Sequence, residues 1–176
     1  MKKTLSILLA VTLLSAACKT GDPREKLLQE ITQTEREIFS KNLDVTLEKK
    51  QHLMDLYLSF TEQFPQDSLA PDFLFRCADM AAYSQQEQYS ITLYQRIYDE
   101  YPDHPLRSIA LLNQALMYDN MGDADHAKPL YEQFLVMFPD DPYFEDVQQL
   151  LEMVGKSPEE LDFLMQEQDN QQEDIK

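Results

Sequence analysis

Three times, 37 residues apart, the chain writes the same phrase. Leu56-Tyr57 leads to Phe60 and then Phe64-Pro65. Leu93-Tyr94 leads to Ile97 and Tyr101-Pro102, and Leu130-Tyr131 to Phe134 and Phe138-Pro139. A unit recurring at a period of about 20 to 50 residues cannot bury its apolar face alone, so its copies stack along an axis. This argues against one closed globule. It points to a scaffold that presents side chains in register over a long face, a design for binding and not for catalysis.

The units are helical. Apolar residues recur at steps of three and four, and no stretch alternates as a strand would. Each Phe/Tyr-Pro pair closes a helix: proline has no N–H for a continuing helix and pushes the residue before it out of the α region. The preceding aromatic can then fold back on its own last turn. Gly21, Gly122 and Gly155 are the only glycines, and the last two stand at expected helix ends.

The spacing predicts a first helix opened by Pro23, with a stripe of Leu27, Leu28, Ile31 and Ile38, then a second running from an N-cap at Asp44 to about Phe64. Hairpins follow at 68–83 with 87–101 and at 105–120 with 123–138, the latter capped by Asp123. A final pair at 142–154 and 158–166 is separated by Gly155-Lys156-Ser157, with Ser157 as N-cap. Pro129 costs little if it falls in a first turn and kinks the helix if it does not. The expected fold is all-α, an α-solenoid of antiparallel hairpins over 24–166. Its repeats are 24–65, 68–102 and 105–139, with C-terminal capping helices at 142–166 and a polar tail, 167–176, that frays.

The N-terminal residues read as a targeting segment. Met1-Lys2-Lys3 is a positive start, Leu5 to Leu14 is apolar, and Ser15-Ala16-Ala17 is a small-residue cleavage site, so 1–17 is a signal peptide. Leu14-Ser15-Ala16-Ala17-Cys18 resembles a bacterial lipobox, although its leucine stands four residues before the cysteine instead of three. Two readings stay open: lipidation of Cys18, with 18–23 as anchor and linker, or plain secretory cleavage that leaves a free thiol. A cysteine directly after the apolar run favours the lipid. Lys19, by resemblance to the enterobacterial sorting rule, favours the periplasmic face of the outer membrane. With Cys18 acylated, Cys77 has no disulfide partner and is expected to be a small buried hydrophobe.

The formal charge is −17, from 15 basic and 32 acidic residues. Such a surface repels nucleic acid and anionic headgroups, leaving the N-terminal lipid as the expected membrane contact. His52, His104 and His126 have no metal-ligand spacing and are expected to be solvated; no metal, cofactor or catalytic residue is identified. Asp119, Asp123 and Asp125 fail the calcium-loop pattern, because the glycine is misplaced and no glutamate closes the loop.

Leu111, Ala115, Tyr118, Gly122, Ala127, Tyr131 and Pro139 resemble the tetratricopeptide repeat, with Gln114 standing where leucine is usual. The preceding unit matches at Leu74, Cys77, Ala78, Ser90, Tyr94 and Pro102, with Ala81 in place of tyrosine. The first unit matches only in its second helix. The repeat is three residues longer than usual. That is similar to the envelope branch of the family, which includes the lipoprotein of outer-membrane β-barrel assembly and a periplasmic cell-division coordinator. The resemblance implies a lipid-anchored adaptor that binds a protein or peptide on the concave side formed by the first helices. Carried over to this chain, that side has Asp72, Phe75, Arg76 and Asp79, then Ile109, Leu112, Asn113, Leu116 and Asp119. Apolar residues rimmed by aspartates suit an apolar, partly basic segment. The lysine and asparagine clamp for terminal carboxylates is replaced by Phe75 and Asp79, with only Asn113 kept, so a carboxylate would be repelled. The rival reading is a homo-oligomeric envelope component whose groove is filled by its own copy.

Overall fold

The computed structural model of the chain describes residues 21–40, 45–157 and 159–163. The signal-peptide reading, Cys18, the cap expected at Asp44 and the tail 167–176 lie outside them. Seven helices are formed: α1 (Pro23–Phe39), α2 (Leu47–Gln63), α3 (Ala70–Tyr83), α4 (Glu87–Glu100), α5 (Leu106–Asn120), α6 (Ala124–Met137) and α7 (Phe144–Met153). A further helical stretch occupies 159–163. Each helix packs on the next, and α3 also touches α5. The result is an all-α solenoid of antiparallel hairpins, α1/α2, α3/α4 and α5/α6, with α7 continuing the array.

The inter-hairpin corners repeat almost atom for atom. Phe64, Tyr101 and Phe138 end their helices at φ/ψ of −132°/57°, −126°/63° and −130°/57°. The ring folds back on the preceding turn, with Phe64 5.2 Å from Phe60 and Phe138 5.5 Å from Phe134. Three residues on, the N–H of Asp67, His104 or Asp141 donates to that aromatic's carbonyl. Each of these residues then accepts the N–H two positions later: Leu69 to Asp67 Oδ1 (3.0 Å), Leu106 to His104 Nδ1 (3.2 Å) and Tyr143 to Asp141 Oδ1 (2.9 Å). His104, part-exposed, is therefore a turn residue in the role of an aspartate.

Helix starts use side-chain caps in four places. Asp22 accepts from Arg24 N ahead of Pro23. Thr46, two residues beyond Asp44, caps α2 by accepting from Lys49 N, and Asp123 accepts from His126 N. Ser157 and Glu160 form a reciprocal capping box: Glu160 N donates to Ser157 Oγ (3.3 Å) and Ser157 N to Glu160 Oε2 (2.7 Å). Pro129 is the sixth residue of α6, past the first turn, and the helix runs through it. Its missing N–H leaves the carbonyl of Asp125 without its intrahelical donor, and Asp125 is exposed, so water can take that place.

Two apolar clusters run along the axis. The first joins α1 to α4 with Ala110; the second gathers Tyr98, α5, α6, Val147 and Val154. Close helix approach depends on small residues: Ala78, Ala115 and Ala127 are fully buried. Ser90, which takes the place of Ala127 in the preceding repeat, is as buried, and its hydroxyl donates to the carbonyl of Ala78 at 2.9 Å. Cys77 is buried and unpaired, and burial pushes its thiol up to about 12, which makes it packing material and not a nucleophile.

One long-range contact ties the start of α1 to the first corner. Arg24 donates Nε to Asp67 Oδ2 (2.5 Å) and Nη2 to Oδ1 (3.1 Å), 43 residues apart. The guanidinium, then the Leu69 N–H, hold the Asp67 carboxyl below the usual carboxylate range. A lowered folded value means this contribution is full above the unfolded carboxylate pKa and is lost as pH falls through the folded one. Asp67→Asn is therefore expected to lower the melting temperature at pH 7, with the difference from wild type closing as pH falls below the usual carboxylate range. Melting curves of both proteins across that range check it; a constant difference would rule out the ion pair as its source.

Candidate interaction face

Because α3 abuts α5, the first helices of successive hairpins share one side of the array. Of the residues expected there, Asp72 is part-exposed and Arg76 exposed. Arg76 Nη1 donates to Glu35 Oε1 at 2.7 Å, which spans from α3 to α1. Phe75 is part-buried with its ring edge-on to Tyr94 at 5.6 Å. Ile109 and Leu116 are part-buried against the second cluster, while Asn113 and Asp119 are partly open.

Leu112 does not belong with them. It is 4% exposed and part of the second cluster, beside Leu111. The reason is that α5 packs against α3, α4 and α6 together, so its buried stripe is wider than a hairpin pair alone requires. The face is accordingly more polar than the expected groove: Asp72, Arg76, Asn113 and Asp119, with apolar side chains only partly reaching it.

A second pattern lies at the seams. The repeated tyrosines of α2, α4 and α6 each donate the hydroxyl to an acid on a first helix: Tyr57 to Glu35 Oε1 (2.7 Å), Tyr94 to Asp79 Oδ1 (2.5 Å) and Tyr131 to Asp119 Oδ2 (3.0 Å). Burial, reinforced by the acid, pushes all three phenols far above their ordinary value. They remain neutral donors at any physiological pH. Burial also raises the Asp79 carboxyl, against the opposing pull of the Tyr94 hydrogen bond. Asp79 and Asp119 thus act largely as acceptors that hold the seam. Only the tyrosines recur at the period, so the sequence pattern gave no signal for their acids.

Gln114, in place of the usual leucine, is 4% exposed; its Nε2 donates to Gln95 Oε1 at 2.8 Å, while its own Oε1 has no partner. Tyr118 stacks on His126 at 4.9 Å, and His126 Nδ1 lies 2.8 Å from Asp123 Oδ2. Among the described residues, no cluster of three or more histidine, cysteine or acidic side chains is placed to hold a metal, and no helix is long and apolar enough to cross a membrane.

Residues 109–141 match the family model of the tetratricopeptide repeat. The matched stretch covers most of α5, the Met121-Gly122 turn, α6 and the corner after it. No curated protein matches the chain in sequence.

Proposed function

We propose that this chain is a lipid-anchored adaptor of a bacterial cell envelope, holding a protein partner on the face shared by α3 and α5. Repeats of this kind commonly serve as non-catalytic scaffolds for protein–protein contact, and a continuous, partly polar face on a rigid array suits that role. The observation that carries the reading is the abutment of α3 on α5, which packs the helix that bears Asp72 and Arg76 against the one that bears Asn113 and Asp119. The anchor is Cys18, supported by the order of charged start, apolar run, small residues and cysteine. The site of action is the periplasmic face of the outer membrane, supported by Lys19 after that cysteine. An anchor that confines the scaffold to a surface raises its local concentration near a partner held there.

The test is in-cell crosslinking and capture of the full-length chain beside Cys18→Ala and the double variant Asp72→Lys/Asn113→Lys. Wild type is expected to capture a defined envelope protein. Cys18→Ala should leave the membrane fraction, and the double variant should lose the partner while keeping its helicity. Capture indifferent to the double variant would move the site off this face. Crosslinks between copies alone would establish the homo-oligomeric reading instead.

A further inference from the structure

Superposing the repeats by their 37-residue period exposes one departure at the end of α6. Where α2 ends in Glu62-Gln63 and α4 in Asp99-Glu100, α6 ends in Val136-Met137. The earlier pairs are exposed, and so are these: Val136 by 79% and Met137 by 45%. Across the corner, Tyr143 takes the position of Leu69 and Leu106. Those two pack on the first cluster, whereas Tyr143 is 47% exposed. Single exposed apolar residues are ordinary. Here three stand at one end of one hairpin, two of them where the other repeats carry charge or amide.

The surroundings are acidic. Glu132 lies one turn back on α6, Asp140 is in the corner, and Glu145 and Asp146 open α7; all four are exposed. We propose that the α6–α7 end docks a short apolar segment of another protein that is flanked by lysine or arginine. Charge complementarity selects that occupant. A second copy would bring this acidic rim against its twin, on a chain whose formal charge is −17. Residues 164–176 carry four acids and one lysine and meet the same repulsion. Apolar side chains supply the contact and the carboxylates supply steering and selection against acidic competitors. The patch belongs to the end of α6 and the corner after it, so it is independent of the α3–α5 face.

The test uses the full chain and a fluorescein-labelled synthetic helical peptide, leucine on one face and lysine on the other, read by anisotropy at near-physiological salt. The variant Val136→Asp/Met137→Glu restores the residues of the preceding repeat, which that helix end already accommodates in α4. It makes the chain more acidic, so attraction by charge alone would tighten peptide binding. The patch predicts the reverse, at least about a tenfold loss of affinity, with Val136→Ser/Met137→Gln losing a similar amount. Equal or tighter binding by both variants overturns the proposal. Sedimentation that finds a dimer in wild type and monomer in the variants would assign the patch to a second copy. Displacement of the labelled probe by a peptide of residues 164–176 would assign it to the chain itself. Either result overturns the proposed partner.

Discussion

Replacing Phe60 by alanine is expected to cost about 3–5 kcal/mol, a large part of the roughly 5–15 kcal/mol that holds an ordinary domain together. Phe60 is fully buried, sits 4.9 Å edge-on from Phe73 and 5.2 Å from Phe64, and has the Arg24 guanidinium 5.9 Å above its ring. Removing the ring opens a cavity where α1, α2, α3 and the first corner meet. In a solenoid that loss stays near its origin, because each hairpin contacts only its neighbours. Hydrogen exchange is therefore expected to accelerate strongly in α1 to α3 and little in α6 and α7, while the thermal transition broadens or splits. Uniform loss of protection through α7 would show that the two apolar clusters unfold as one unit, against a nearest-neighbour account.

Gly155→Ala is expected to cost about 2–4 kcal/mol, and Gly122→Ala only about 1 kcal/mol. The two glycines share a φ of +75°, so the penalty of placing an L side chain in the left-handed region is common to both. They differ in space. Nothing lies within 4 Å of a Cβ at Gly122, whereas one at Gly155 would stand 2.8 Å from the Cβ of Ala124. Ala124 opens α6, and its backbone anchors that position, so the crowding can be relieved only by separating α6 from the turn that leaves α7. Denaturant unfolding of the two variants separates the shared conformational cost from the steric one. Equal losses would mean that the turn relaxes freely and that the contact at Ala124 does not set the approach.

The sequence made the architecture legible because its punctuation is chemical. A proline after an aromatic stops a helix for reasons of geometry, and doing so three times at one interval leaves little but stacked hairpins. What escaped depends on contacts that no local pattern encodes. Asp and Thr are both good caps, and the cap of α2 at Thr46 stands two residues past the expected Asp44, a shift of phase that helical periodicity does not resolve. Leu112 read as part of an open face by carry-over from the family's first helices, and a stripe one residue wider is visible only once three neighbours surround α5. The Arg24–Asp67 pair joins residues 43 apart, and the acids at the seams stand at unequal distances from their tyrosines. The capping role of His104 is clear only beside Asp67 and Asp141 in the folded corner.

Those unequal distances bear on how such a chain can be lengthened or shortened. Tyr94 finds its acceptor fifteen residues back; the same step from Tyr131 lands on Leu116. Tyr131 finds its acceptor twelve back, and the same step from Tyr94 lands on Ala82. A hairpin copied whole keeps its own tyrosine–acid pair, whereas a hybrid joined between the first and second helices asks a tyrosine set for an acid twelve residues back to find one at fifteen, or the reverse. Each junction carries its own address, so recombination within this array is permitted at the proline corners and penalised inside the hairpins.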